Sequence, residues 1–543
     1  MTCGTFVGKT LEPYRSDRGD LYGATVAENQ LIEATLSADT ALKWEFWKPG
    51  LEISVARSPE FGWGQPDVRN LQRQYGPRIL VRGLPSLPSA EEASEYVFVG
   101  GAPLLPFFSD VSEQFPIRVP ICGVLHAVCF PELAWQCARI LMAAEDCDVM
   151  VATSRAGHQS LENCLEAGAE KISRRLGVPE DAVPRMRIVD IPLGTNPPPE
   201  EALDRRRARS FLHLPENCFC ILFIGRLTQG YKADLDVLLS AVARLSAVGR
   251  DVRLILAGQS PNQNYIAYLN AHLGFLQLTE RTLILQDFQD FLKPSILAAC
   301  DVFVSPVDSI QETFGIALLE AMAHARPVVA TSWSGYRDLV VDGETGFLLK
   351  TKFSLEAAEY ISSYAALLNP VELAGYLAQR TVIDADEFLH KLEFLAGNPE
   401  RAAEMGTRAR ARVLERFTWP IVARQYLDLW ADQIERAHRL QPRENARLDY
   451  GALFSHYADE ALSPRDMLVT AGSHWNERNI TDFWVFHNAR QLAEVRDLIQ
   501  LCRIAPARVA DLLDQGYSRD CILWLAKKGI CRLVSSEDSP ATA

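Results

Sequence analysis

Between residues 218 and 350, apolar runs beginning at Cys218, Arg253, Thr282, Asp301, Pro327 and Gly346 alternate with segments of helical composition. Connections of that length do not make hairpins. They cross over a sheet, so the rhythm predicts a parallel, doubly wound α/β sheet with helices on both faces. Residues 78–81, 96–99, 119–125 and 148–152 predict a second sheet of the same kind upstream. Ligands bind such sheets at the carboxyl ends of the strands, which directs attention to the loops after each apolar run. At 543 residues and 48% hydrophobic content the chain exceeds one ordinary domain and can fill large cores.

The loop after the run at Asp301 is the most informative. Gln311-Glu312-Thr313-Phe314-Gly315 is followed at once by Ile316-Ala317-Leu318-Leu319-Glu320-Ala321-Met322-Ala323. A strand over 301–306, a loop and a helix over 315–325 place Glu312 before the helix and Glu320 two turns into it. An acid in so apolar a helix requires a polar ligand or a pairing cation. The amides of Phe314, Gly315 and Ile316 stand at the positive end of the helix dipole, where a phosphate is favoured, and Gly315 permits close approach. Glu312 then lies on the ligand side, while Glu320 is placed to reach a hydroxyl further along the same molecule. That layout suits a sugar nucleotide. An isolated pair of glutamates would more often be solvated or salt-bridged.

Two cations upstream change the balance. The apolar strand over 218–225 runs into Arg226, and Lys232 follows in the loop before a helix over 234–245. A planar fork and a point charge so placed can bracket a pyrophosphate; the alternative is two solvated loop charges.

These segments together resemble the retaining glycosyltransferases of family 4 (glycosyl transferases group 1), which have the two-domain GT-B architecture. The matching residues are Gly225-Arg226-Leu227, Lys232-Ala233-Asp234-Leu235, Leu256-Ala257-Gly258, the stretch 299–306, the E-x7-E segment from Glu312 to Glu320, Arg326-Pro327-Val328-Val329-Ala330, Gly335-Tyr336-Arg337-Asp338 and Asp342-Gly343-Glu344-Thr345-Gly346-Phe347. The resemblance covers about residues 185–435. It implies that Arg226 and Lys232 hold the donor pyrophosphate beside Gly225 and neutralise the leaving group. Glu312 would contact the transferred sugar, backbone at Thr313, Phe314, Gly315 and Ile316 would lie near sugar and phosphates, and Glu320 would bind the ribose hydroxyls. The base would sit near Ile284, Leu285 and Gln286. It also implies retention by front-face attack, with Glu312 positioning rather than forming a covalent bond, and no metal or other cofactor.

In the first half, His126 ends the apolar strand Gly123-Val124-Leu125. The resemblance places a histidine there near the donor sugar or acceptor; an ordinary hydrogen-bonded histidine at a strand end fits equally well. The stretch from Gly19 to Gly23, ahead of a helix over 25–36, is a candidate glycine loop beneath the donor phosphates, although no strand is evident before it. Gly100-Gly101 competes for that role, and either stretch also fits a plain turn.

The expected organisation is α/β, with two Rossmann-like doubly wound domains facing across a cleft and a small, mainly helical C-terminal extension. Residues 1–195 form an acceptor-side domain and 196–410 a donor-binding domain. Residues 411–440 form a helix crossing back to the first domain, and 445–543 the extension. The proline-rich 191–199 stretch is the hinge. In the extension, helices are expected over 488–502, 504–515 and 521–525 and a strand over 531–534, with a disordered tail over 535–543. A winged-helix-like module would fit, but nothing basic marks a DNA-reading helix, and a docking or partner-binding role is favoured.

A net charge of −14 argues against nucleic acid as a partner. Arg205-Arg206-Arg207 with Arg209 leaves peripheral contact with lipid or a polyanion open, although the solvated face of a helix is the favoured reading. Twelve cysteines without paired metal spacing read as reduced thiols. The first residues lack a basic segment with an apolar core and no 18-residue apolar window exists, so a cytoplasmic location is expected. The expected partners are a nucleoside diphosphate sugar and a hydroxyl acceptor: a glycan such as a growing polysaccharide, a lipid-linked glycan, a small polyol or a protein. A sugar-nucleotide epimerase or phosphorylase, or a non-catalytic sugar-nucleotide sensor, would share the same phosphate and ribose grips.

Overall fold

The structure, a computed structural model, describes residues 1–6, 23–48, 68–83, 89–101, 112, 115, 117–131, 133–260, 262–440, 449–458, 462–470 and 489–535. Residues 1–49 and 53–445 form one compact unit holding two parallel sheets. The first sheet comprises β1 (Thr2–Phe6), β2 (Lys43–Lys48), β3 (Ile79–Gly83), β4 (Tyr96–Gly101), β5 (Ile121–Leu125), β6 (Val149–Ala152) and β7 (Arg187–Asp190), in the order β3-β2-β1-β4-β5-β6-β7. The second comprises β8 (Phe219–Ile224), β9 (Val252–Gly258), β10 (Thr282–Gln286), β11 (Val302–Ser305), β12 (Val328–Thr331) and β13 (Gly346–Leu349), in the order β10-β9-β8-β11-β12-β13. In both, the first strand sits centrally and the chain winds outward in one direction and then the other. This is the doubly wound arrangement that the alternating pattern predicts.

Central strands such as β8 and β11 are covered by helices on both faces, which explains their unbroken apolar sequence. The strand that is not evident in the sequence before the glycine stretch is present: β1 pairs with β2 and β4 and precedes the helix Gly23–Ala38. Gly23 opens that helix, whereas residues 19–22 of the candidate loop lie outside the described residues. Gly100 and Gly101 are the last residues of β4.

After β13 the chain inserts β14 (Thr351–Phe353), two helices and β15 (Thr381–Ile383), then continues through helices Ala385–Gly397, Pro399–Arg416 and Trp419–Arg439. The last of these returns to the first sheet. Trp419 Nε1 donates to Gln30 Oε1 (2.8 Å), and the buried Gln433 amide donates to the carbonyls of Ile121 (2.9 Å) and Cys147 (2.8 Å).

In the arginine cluster, Arg205, Arg206 and Arg207 are exposed on the helix Arg205–Phe211, as the solvated-face reading expects, and Arg209 departs from it. Arg209 is 2% exposed, and its guanidinium donates to Asp301 (2.6 Å) and to the carbonyls of Ala299, Glu216 and Cys218. Arg205 also binds Asp301, and Arg206 binds Glu216. Arg209 and Arg205 thus tie the residue before β11 to the helix Arg205–Phe211, and the buried Arg209 guanidinium is committed to these partners.

Residues 446–543, with 50–52, form a second compact unit. Its described part has an antiparallel sheet of β16 (Met467–Thr470), β17 (Ala507–Arg508) and β18 (Cys531–Val534), ordered β17-β16-β18, with helices Ala489–Ile504, Val509–Asp514 and Arg519–Lys527. Leu468, Val495, Leu498, Leu512, Ile522 and Leu525 fill its core. β17 interrupts the helix expected over 504–515, and residues 536–543 of the expected disordered tail lie outside the described residues. All twelve cysteines are free thiols, eleven of them buried. No described helix is long and apolar enough to cross a membrane.

Candidate functional site

In the second sheet, β8 and β11 are neighbours from which the chain departs in opposite directions, so the crevice beyond their carboxyl ends is the topological switch point. Gly225 and Arg226 follow β8, and the loop over 306–315 follows β11. The strand ends on the β8 side are stitched together: Gly225 N donates to Ala257 O (3.0 Å), Leu227 N to Gln259 O (2.7 Å) and Asp287 N to Gly258 O (3.0 Å). Gly258 has φ +155°, and a Cβ there would lie 1.8 Å from Gly225 O. Only glycine lets β8 and β9 end this close together, and so it fixes where Arg226 emerges. The Arg226 guanidinium stacks 4.4 Å from the Tyr231 ring centroid, within its own loop.

The loop from β11 is held from beneath. Thr331 Oγ1 donates to Val307 O (2.6 Å), Trp333 Nε1 to Ser309 O (2.9 Å), and Glu312 N to Ser309 O (3.3 Å). Tyr336 is fully buried with its hydroxyl 2.7 Å from Ser305 Oγ, and burial together with the nearby Glu312 carboxylate holds its pKa well above the usual value. Its ring packs where Gly315 has no side chain: φ is +109°, and a Cβ there would meet the ring at 2.4 Å. The loop so fixed presents Glu312 to Lys232, and the two form an ion pair across the switch point, both side chains about seven-eighths buried (15% and 12% exposed). Glu312 Oε1 also accepts from Phe314 N (3.2 Å). The amide of Phe314, expected to face a phosphate, is therefore engaged by the chain's own carboxylate, leaving Gly315 and Ile316 at the opening of the helix Ile316–Ala323.

Glu320, on that helix, has the pairing cation its surroundings call for: Lys293 Nζ lies 2.6 Å from its carboxylate. Leu285 is in β10, the edge strand two places from β8, paired with Ala257. The structure therefore brings Gly225, Arg226, Lys232, Glu312, Thr313, Phe314, Gly315 and Ile316 to one strand-end crevice, with Glu320 further along the helix and Leu285 at the sheet edge.

The first sheet meets this loop with its own strand ends. Thr313 Oγ1 donates to His126 O just after β5 (2.8 Å), and Ser154 Oγ, just after β6, donates to Thr313 O (2.6 Å). Arg155 binds Asp338 through both its backbone N (2.8 Å) and Nε (2.5 Å). His126 is thereby placed beside the Glu312-Thr313 turn, and its Nε2 stands 3.3 Å from Glu28 Oε1. Glu28 was missed in sequence. Its signal was an acid on the same helical face as Leu31, Ile32 and Thr35, the criterion that marked out Glu320.

Asp308 was also missed, since a loop acid carries no pattern. It is 6% exposed, its Oδ1 has no hydrogen-bond partner, and burial, then the neighbouring Asp234 carboxylate, pushes its pKa up to about 7. The folded state therefore holds a proton that the unfolded chain releases near 3.8, and this contribution to stability is present below about 4 and lost as pH rises through 7. Asp308→Asn should thus gain stability over the wild type on the order of a few kcal/mol at pH 8, with the gain gone by pH 4. Melting curves of both proteins across that range check it; an equal gain at both ends would contradict the assignment.

Residues 218–367 match the family described as "Glycosyl transferases group 1". The chain is 29% identical over 275 residues to a D-inositol 3-phosphate glycosyltransferase of Stackebrandtia nassauensis, covering 48% of this chain and 52% of that protein. It is 28% identical to an alpha-maltose-1-phosphate synthase of Mycolicibacterium smegmatis, covering 39% and 47%. The chain thus spans about half the length of the curated relatives it matches. Among solved structures, Anabaena HepE in complex with UDP and glucose superposes with a TM-score of 0.53 at 18% identity, over 80% of this chain and 100% of that one. Sucrose-phosphate synthase from Thermosynechococcus elongatus gives 0.51 at 16% identity, over 80% and 99%. At such identity these likenesses establish the fold: two Rossmann-like sheets in the GT-B arrangement.

Proposed function

With residues 218–367 matching the family of group 1 glycosyl transferases, we propose that the chain moves a sugar from a nucleoside diphosphate sugar to a hydroxyl acceptor, with retention of anomeric configuration. The observation that carries this is the meeting of Lys232 and Glu312 across the switch point, between Arg226 on one side and the start of the helix Ile316–Ala323 on the other. The anomeric C–O bond to the diphosphate breaks and its electron pair goes to the departing phosphate oxygen. Arg226, Lys232 and the Gly315 and Ile316 amides are fixed in advance where that charge appears, which is where electrostatic stabilisation is most effective. In this reading their charge, rather than a metal ion, supports the leaving group. The acceptor hydroxyl attacks from the same face and gives its proton to the departing diphosphate. Glu312, held by Lys232 and the Phe314 amide, positions the sugar, and Glu320 takes the ribose hydroxyls by exchanging part of its contact with Lys293. The UDP bound to HepE and the inositol phosphate named for a relative support a nucleotide sugar as donor and a hydroxyl compound as acceptor.

A thermal-shift panel of sugar nucleotides tests this. A donor at about 100 times its Kd should stabilise the folded chain by roughly 2.7 kcal/mol, and incubation of that donor with acceptors should release the free diphosphate. An epimerase would instead give the isomeric sugar nucleotide without acceptor. No stabilisation by any sugar nucleotide or nucleoside diphosphate would overturn the proposal.

A further inference from the structure

Beside His126 lies a small cavity of about 10 Å³, room for about one water molecule, lined by Ala27, Glu28 and Leu31 of the helix Gly23–Ala38, by Val124 and His126, and by Leu193, Trp419 and Tyr426. Glu28 is 2% exposed, and its carboxylate would be costly there without a compensating proton or cation. The His126 imidazole stands against it, Nε2 to Oε1 at 3.3 Å, an ion-pair contact rather than an aligned hydrogen bond. The Tyr426 hydroxyl is buried as well, and burial, with smaller contributions from Cys122 and Glu28, raises its pKa well above the usual value, so it remains a neutral donor. The backbone of the same histidine accepts the Thr313 hydroxyl. A continuous chain of contacts therefore runs from Glu28 through His126 to the turn that carries Glu312.

We infer that Glu28 is the positioning residue of His126: its carboxylate, 3.3 Å from Nε2, electrostatically favours a proton on that nitrogen and leaves Nδ1 as the nitrogen offered to the transferred sugar. A carboxylate behind an imidazole commits one ring nitrogen and thereby defines the role of the other. The remote partner is supplied by the helix after β1 and backed by the helix Trp419–Arg439, so the geometry of His126 depends on the element that returns from the end of the unit. This inference rests on the transferase reading only for the role of Nδ1 toward sugar; the Glu28–His126 relation stands apart from it.

The test is Glu28→Gln in the full chain, read in two ways. Protein labelled with 15N at its ten histidines, with the resonance assigned by its loss in His126→Gln, should show the His126 proton on Nε2 in the wild type, and that bias should vanish in Glu28→Gln. With the donor from the panel above, kcat should fall by roughly 10–100-fold, by analogy with the outer-shell partners of metal-bound histidines, while KM for the donor stays unchanged. Glu28→Asp, which keeps the charge but retracts it, should lie between the two, and it substitutes if Glu28→Gln fails to fold. The same His126 tautomer in variant and wild type, or an unaltered kcat, overturns the inference. If the wild type turns over no sugar nucleotide, the transferase reading fails, and the tautomer measurement still decides the role of Glu28.

Discussion

Lys232→Ala is expected to lower sugar transfer by about 10²–10³-fold, the cost of removing one preorganised donor from a developing oxyanion. Two effects combine. The ammonium proposed to meet the departing diphosphate is lost, and Glu312, 12% exposed and paired with Lys232, is left with neutral partners such as the Phe314 amide and the Tyr336 hydroxyl. The second effect predicts a disorganised turn, so KM for the donor should rise together with the fall in kcat. Lys232→Arg should rescue only part of the loss, because a planar fork does not occupy the position of a compact ammonium. Steady-state kinetics of the three proteins check this, and a Lys232→Ala variant within a fewfold of wild type would remove Lys232 from the mechanism.

Gly258→Ala should be severe for a different reason. The added methyl would lie 1.8 Å from Gly225 O at a φ of +155°. Neither the end of β9 nor the end of β8 can keep its place, since Gly258 O also accepts Asp287 N and Gly225 N is bonded to Ala257 O. Backbone strain and overpacking together cost on the order of 3 kcal/mol or more. The displaced segment is the one that carries Arg226, so donor affinity should fall even in the fraction that remains folded. Gly274→Ala is the control: it lies in the helix Gln263–Phe275, a methyl there meets nothing within 4 Å, and it should be neutral or slightly stabilising. Equal melting temperatures for the two variants would show that the Gly258–Gly225 contact does not constrain the strand ends.

The second sheet was legible because its strands are buried on both faces and written as unbroken apolar runs, as in Cys220-Ile221-Leu222-Phe223-Ile224. The first sheet was only half legible. β2 hides a buried carboxylate, Glu45, which is satisfied by Arg82 Nε (2.5 Å) and the Tyr96 hydroxyl (2.9 Å), partners more than thirty residues away. β1 contains Gly4, over which the Tyr96 ring packs so closely that a Cβ would sit 2.1 Å from its hydroxyl oxygen. Local propensity disfavours Glu45 and Gly4 within these strands, and long-range packing overrides it. The site divides in the same way. Arg226, Lys232, Glu312 and Glu320 stand out because each is a charge at the edge of an apolar element. Asp308 and Glu28 acquire their character only from what the fold brings against them. Arg209 misled for that reason, since a run of arginines says nothing of the Asp301 carboxylate waiting across the sheet.

The central claim is that cations and helix amides at the switch point converge on a diphosphate. Calorimetric titration of the nucleoside diphosphate picked out by the thermal panel, and of the corresponding nucleoside, into wild type, Arg226→Ala and Lys232→Ala tests it most directly. The account predicts that each substitution weakens the diphosphate by about 10–100-fold, since a charge-assisted contact contributes roughly 1.5–3 kcal/mol, and leaves the nucleoside unaffected. Equal diphosphate affinity in all three proteins would contradict it.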